Sequence, residues 1–365
     1  MMVLPFFAKF SIFLVGLFIM LTMLYIAQGI IVPIIFAIII AILLQPVVSF
    51  FVRLKFNRVL AIIITLVMSV LLIVAFAAFM YSQVSRFAES WPILVNKFAL
   101  VLNQTSDWAS AYFDINPRRI DEWLVKTRGE LINTSGASIA QTLWSVGNAI
   151  MIIFLIPLYV FLIMFYQPLI LDFIHKLFKE NHQSEVSEIV KQTKTVVQGY
   201  LVGLVIESVI VAVLDASALL IIGIEYAILL GIIGALLNLV PYIGGLVAVA
   251  LPMMIALVTK SSAWYAVYVL AAYYFIQLVD NNYIIPKIVA SKVKINALFS
   301  VIVVIAGNAL WGIPGMFLSI PLLAIAKLIF DHVEPLKPLG ALLGDTMPPM
   351  LKIKPILQTI IRKKT

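Results

Sequence analysis

The sequence predicts an all-α polytopic membrane protein: six to eight transmembrane helices, two broken or re-entrant segments, and an external amphipathic helical insertion. Three observations carry that prediction. The chain is 63% hydrophobic and only 12% charged, against roughly 25% charged residues in soluble domains, so it lacks the polar surface to cover a soluble globule. Several apolar runs exceed the ~20 residues that span a bilayer core. The formal net charge of +8 gathers in short loops and at the C-terminal tail, as the positive-inside rule describes. That placement argues against nucleic acid as the partner of the basic residues. The chain has no cysteine, which excludes disulfides, thiolate metal sites and cysteine nucleophiles.

Apolar spans fall near 6–28, 30–52, 58–82, 146–166 and 199–223, and two longer runs, 226–259 and 295–326, flank another at 263–279. The first apolar segment, Phe10 to Ala27, exceeds the 7–15-residue core of a signal peptide and reads as a retained helix. Gly29 and Pro33 punctuate the connection to the second span. Arg53, Lys55 and Arg58 crowd the next connection, which places it and the N-terminus in the cytoplasm and residues 83–145 outside. The expected organisation is then an N-terminal three-helix segment (1–82), the external insertion (83–145), a C-terminal transport core (146–345) and a basic cytoplasmic tail (346–365).

In the external insertion, acidic and basic residues balance, and Phe87, Trp91, Leu94, Phe98 and Leu102 recur at helical spacing. Asn116-Pro117 has the form of an N-cap with proline in the first turn. Two or three amphipathic helices are expected, either on the outer membrane surface or between subunits, or as a plain cap over the bundle. Within the core, residues 167–198 form a cytoplasmic insertion with one apolar face (Phe173, Ile174, Leu177, Phe178) and several lysines. His175 and His182 fall there as solvated side chains without a third ligand, so no metal site is expected.

The run from Tyr226 to Thr259 would be about 50 Å long as a straight helix, against a hydrocarbon core of ~30 Å. It is interrupted by Asn238-Leu239-Val240-Pro241-Tyr242-Ile243-Gly244-Gly245. Proline removes a helical hydrogen bond, and glycine permits backbone angles that other residues resist. The run from Ile295 to Ala326 repeats the design at Gly307-Asn308-Ala309-Leu310-Trp311-Gly312-Ile313-Pro314-Gly315. Each run is either a bent full crossing or a re-entrant hairpin. Hairpins put Lys287, Lys292 and Lys294 inside, and the positive-inside rule favours them. Paired Gly/Pro-interrupted segments point to a transporter's substrate site. The candidate pathway residues are therefore Asn238, Pro241, Tyr242, Gly244, Gly245, Asn282, Pro286, Gly307, Asn308, Gly312, Pro314 and Gly315.

Glu207 and Asp215 lie inside the 199–223 span, where an acid near the bilayer centre costs ~2.5–3.5 kcal/mol on insertion scales and usually faces a pathway or partner. They stand about 12 Å apart along the helix and roughly 80° around it, too far to share a proton. Asp280, with Asn281 and Asn282, closes the 263–279 span. These three acids are the ion-coupling candidates. For Asp215 the alternative is a neutral, hydrogen-bonded helix contact. No enzyme is expected: the phosphate loop G-x-x-x-x-G-K-[ST], H-E-x-x-H and G-x-S-x-G are all absent from the sequence. No cofactor is expected either.

"NLVPYIGG" (238–245) followed by Pro252, "DNNYIIPKIVASKVKINAL" (280–298), "GNALWGIPGMFLSIPLLAI" (307–325) and "VPIIFAIIIAILLQPVV" (32–48) together resemble the autoinducer-2 exporter family, the permease-like proteins of the PerM type. The resemblance covers nearly the whole chain and is weak only in the external insertion. It implies a homo-oligomer in the bacterial inner membrane that carries a small solute out of the cell, with sodium/proton exchange as the alternative. The chain departs from the family at Asn296-Ala297, where many members have His-Pro, so no histidine titrates there. Asparagines, a tyrosine and free carbonyls at the breaks, without a cation, suit a neutral hydroxylated solute. The expected partners are the lipid bilayer, a small molecule or ion, and further copies of the chain, with no nucleic acid.

Overall fold

The computed structural model describes residues 5–113, 154–178, 180–239, 244–289 and 295–345. It is an all-α polytopic membrane protein, and the described residues contain no strand. By length and composition, five of its helices are able to cross a membrane, or six if one bent pair counts as a span.

Helices α1 (Phe6–Ile26) and α2 (Gln28–Arg53) meet at the single residue Ala27, so the expected connection at Gly29 and Pro33 is absorbed into α2. Helix α3 (Arg58–Phe113) runs unbroken through 56 residues, with Pro92 inside it. The third span and the start of the external insertion are therefore one rod rather than separate helices. The apolar spacing simply continues past Met80, with no glycine to stop it. The remainder of the insertion, 114–145, and the tail, 346–365, lie outside the described residues.

Helix α4 (Phe154–Phe165) bends by 61° into α5 (Gln167–Lys176). At this corner the Arg58 guanidinium donates to the Met164 carbonyl at 3.0 Å and to Gln167 Oε1 at 2.9 Å. Two connections expected on the same membrane side thus meet. The surrounding cluster packs Ala37 and Ala41 of α2, Ile62 of α3, and Val160 and Met164 of α4.

Helix α6 (Gln183–Ile222) is the spine of the C-terminal half. Its first turns belong to the expected cytoplasmic insertion, and the span follows without a break. It ends at Gly223, whose φ of +80° is left-handed and cheap only for glycine. Ile224 N–H reaches back to Leu219 O at 2.8 Å, closing the helix end. Tyr226, also left-handed at φ +59°, then sends α7 (Ala227–Asn238) back along α6. Small residues set that contact: a Cβ on Gly231 would stand 2.5 Å from Ala216 N.

Both interrupted runs double back. Helix α8 (Gly244–Thr259) packs against α7, and Ala227 and Leu230 share one buried cluster with Ile255 and Ala256 near the far end of α8. Helix α9 (Trp264–Val279) follows and passes at Asp280 into a π-helical segment, Asp280–Val289. In α10 (Ala297–His332), Trp311 and Gly312 leave helical geometry, Gly312 with φ +63° and ψ −145°. A Cβ on Gly315 would stand 2.0 Å from the Gly307 carbonyl oxygen, although residues eight apart in a straight helix are separated by about 12 Å. The two arms of α10 therefore lie side by side, and this segment is a hairpin rather than one long rod. Trp311 Nε1 donates to Leu24 O at 3.1 Å, fixing the hairpin tip to α1. At the hairpin's open end, Asn296 caps the first arm by accepting from Phe299 N. It also donates to the carbonyls of Leu342 and Gly344 around the end of α11 (Lys337–Leu343).

Candidate functional site

Three buried acids stand in this half: Glu207 is 5% exposed, Asp215 3% and Asp280 1%. Their placement follows from helical arithmetic. On α6, Glu207 faces the junction where α7 ends and α9 changes into the π-helical segment. That junction carries Asn238 on one side and Asp280 on the other. The Asn238 amide donates to Asp280 Oδ2 at 2.9 Å and, more weakly, to Glu207 Oε1 at 3.5 Å. One neutral amide thus holds two carboxylates. Asp280 Oδ1 is buried with no hydrogen-bond partner. No ion pair among the described residues includes any of the three acids.

Close packing brings these elements together. A Cβ on Gly203 of α6 would stand 2.7 Å from Ile288 O in the π-helical segment, so glycine there lets the two backbones touch. Asp215 sits eight residues farther along α6. It faces Gly234 of α7, where an added Cβ would lie 3.0 Å from Asp215 Oδ2 and 3.5 Å from the Tyr273 hydroxyl of α9.

Beside this cluster lies a cavity of about 710 Å³, well within the ~300–1,000 Å³ usual for small-molecule sites. Its polar lining is Tyr200, Glu207, Asn238, Tyr273, Tyr274, Gln277, Asn281 and Ser300, with leucines, isoleucines and valines between them. These groups are hydroxyls, amides and one carboxyl; among the described residues the lining contains no lysine, arginine or histidine. The N-terminal turn of α8 also contributes, through Gly245, whose bare Cα lies against Gln277: a Cβ there would meet Gln277 Oε1 at 2.7 Å.

Of the sequence-predicted pathway residues, Asn238 and Gly245 line this cavity, as does Glu207 of the acids. Gly244 begins α8. Pro241 and Tyr242 lie outside the described residues. Asn282 and Pro286 are on the exposed side of the π-helical segment, where the Asn282 amide donates to Leu278 O. The second break does not line the cavity. Gly307 and Gly315 are the contact point of the two hairpin arms, with Ser319 Oγ donating to Gly315 O at 2.6 Å beside them. Asn308 and Pro314 are exposed, and Gly312 makes the turn. The hairpin reaches the cavity instead through its open end, at Ala297, Ser300 and Ile320.

Sequence reasoning missed Tyr200, Tyr273, Gln277 and Asn281. The signal was present: Tyr200 and Tyr273 precede Glu207 and Asp280 by seven residues each, which is two helical turns on one face.

A family model described as AI-2E family transporter matches residues 13–334. The chain is 25% identical over 320 residues to the AI-2 transport protein TqsA of Escherichia coli (strain K12), covering 87% of this chain and 90% of that protein. It is 23% identical over 254 residues to the putative transport protein YrrI of Bacillus subtilis (strain 168), covering 68% and 70%. The putative permease PerM of Escherichia coli (strain K12) is 22% identical over 250 residues, covering 66% and 70%.

Proposed function

The chain belongs to the AI-2E transporter family, and from that premise we propose that it is a secondary exporter of a small, uncharged polar solute, autoinducer-2-like, across the bacterial inner membrane. Transport is coupled to protons or sodium through Glu207, Asp215 and Asp280. The protein is a homo-oligomer with both termini in the cytoplasm. The observation that carries this reading is the cavity lining: hydroxyls and side-chain amides beside one carboxyl, with no cation among the described residues. Hydroxyls and amides both donate and accept, which suits a hydroxylated neutral molecule; an anion would call for Arg or Lys, which the described lining lacks.

Asn238 is the coupling element of this mechanism. Its amide is shared between Glu207 and Asp280 and also faces the cavity. A proton or cation that neutralises either carboxylate weakens that acid's hold on the amide, because hydrogen bonds to charged acceptors are roughly twice as strong as neutral ones. The amide then turns toward the solute. The carboxylates and the solute thereby compete for one side chain, and ion binding at the carboxylates favours solute binding.

The paired carboxylates also support a second reading, a cation/proton antiporter without an organic substrate. Proteoliposomes separate the two. Under the exporter reading, flux of a neutral polyol-like solute depends on the protein, and sodium alone drives no exchange that Glu207→Gln alters. Sodium-dependent proton exchange in the absence of solute, lost in Glu207→Gln, would instead establish the antiporter.

A further inference from the structure

Asp215 stands apart from the Glu207–Asn238–Asp280 cluster. It lies about 12 Å farther along α6, and on α9 Tyr273 lies two helical turns, about 10 Å, before Asp280. Polar groups therefore form two tiers: Glu207, Asn238 and Asp280 in one, Asp215 and Tyr273 in the other. The second tier is built around Gly234. Asp215 Oδ2 and the Tyr273 hydroxyl lie 3.0 and 3.5 Å from the place a Cβ would take, so a Cβ there would press on the Asp215 carboxyl and only touch the tyrosine. The two oxygens are at most the sum of those distances apart, and one water with hydrogen bonds of about 2.8 Å on each side covers all but roughly the last ångström of that range.

The Tyr273 hydroxyl is buried without a hydrogen-bond partner, and Tyr273 itself is 7% exposed. A buried polar group left unpaired in a native fold calls for a bound water, an ion or a functional role. Tyr273 also lines the cavity, whereas Asp215 does not. The tyrosine is thus placed between the cavity and the acid.

We propose that Asp215 and Tyr273 form a second proton station, at which the Tyr273 hydroxyl and one bridging water carry protons between the cavity and the Asp215 carboxyl. In each transfer, a proton from cavity water joins the tyrosine oxygen and the phenolic proton leaves to the bridging water. That water passes a proton to the carboxylate, so one O–H bond breaks for each that forms and one proton moves in net. A metal ion is a poor occupant. Hard cations take six or more oxygen ligands, Asp215 and Tyr273 together carry three side-chain oxygens, and no group of three His, Cys, Asp or Glu among the described residues is arranged for a metal.

The charged and titratable groups facing Asp215 are few. Helix α9 and its extension present Tyr273 and Asp280, α6 itself carries Glu207 and Tyr200, and α7 carries no titratable side chain. Helices α2 and α10 hold theirs only at their ends, at Arg53 and at Lys327, Asp331 and His332. Tyr273 is thus the nearest proton donor.

This station rests on the coupled-exporter reading for its purpose but is tested without any solute. Infrared difference spectra between two pH values are recorded on the full-length protein in proteoliposomes, watching the carboxylic C=O stretch. Asp215→Asn removes one component of that band, Glu207→Gln leaves the component in place, and Tyr273→Phe keeps it but slows its response to a pH jump on the order of a hundredfold. Gly234→Ala retains both groups and shifts the component's frequency. It serves as the second variant if Asp215→Asn does not assemble. A band unchanged by Asp215→Asn, a response rate unchanged by Tyr273→Phe, or an unshifted band in Gly234→Ala overturns the station. Solute export that persists alongside such a result leaves the exporter reading standing alone.

Discussion

The doubling back of α10 makes a sharp prediction at Gly315. A Cβ added there would stand 2.0 Å from Gly307 O, 2.7 Å from Gly307 C and 3.0 Å from Trp311 Cβ. Ordinary contact begins at 3.4 Å, and the obstructing atoms are mostly backbone, so the opposite arm must recede by more than an ångström. Overpacking of this kind costs about 1–3 kcal/mol. Two other glycines calibrate the measurement. Gly312 has open space around it, but its φ of +63° and ψ of −145° are nearly glycine-only, so Gly312→Ala loses about 1–3 kcal/mol through strain alone. Gly16 also has open space and ordinary helical geometry, so Gly16→Ala is neutral or gains about 0.5–1 kcal/mol. The assay is the thermal unfolding midpoint of the detergent-solubilised protein, with elution profile as the check on assembly. A Gly315→Ala protein as stable as wild type would refute the hairpin, since in a single long helix the two glycines never meet.

Three further outcomes follow from the same contacts. Asn238→Ala leaves the buried Asp280 without its one donor, at a cost of about 1–3 kcal/mol, and lowers transport more than Asn282→Ala, whose amide bonds only Leu278 O on the exposed side; flux and melting curves on both variants measure this. Asn296→Ala loses a helix cap and the bonds to Leu342 and Gly344, costing about 0.5–2 kcal/mol for the cap and freeing α11, read as faster proteolysis or hydrogen exchange near Leu343. Because the chain has no cysteine, Lys287→Cys gives a unique label, and an impermeant thiol reagent modifies it from the cytoplasmic side only; modification from outside contradicts the two-hairpin topology.

Much of this arrangement was legible in the sequence because membrane proteins expose their breaks. Proline and paired glycines inside apolar runs too long for one crossing located both reversals, and acids in an apolar span located Glu207, Asp215 and Asp280. Other features were hidden by the nature of the signal. Tyrosine and glutamine are common enough in apolar helices that Tyr273 and Gln277 carry no mark of their own; only their register with Asp280 and Asn281 betrays a shared face. Gly203, Gly231 and Gly234 read as weak helix positions, and their role, close backbone approach, depends on which helix arrives opposite. The merger of the third span with the following insertion had a local cause. Charge appears after Met80, but helical spacing does not lapse, and polarity alone does not end a helix. The separate parts played by the two breaks, one at the cavity and one as a packed turn, depend on tertiary contacts between Gly307 and Gly315 that no local pattern encodes.

The central claim is that the cavity between α6, α8 and α9 carries a neutral solute past Asn238. Its most direct measurement is release of an autoinducer-2-like uncharged polyol from preloaded proteoliposomes, comparing wild type with Asn238→Leu. The account predicts release well above protein-free liposomes for wild type, and release at the protein-free rate for Asn238→Leu in protein that elutes and melts as an assembled fold. Wild-type release no faster than from protein-free liposomes, or full release by Asn238→Leu, would contradict it.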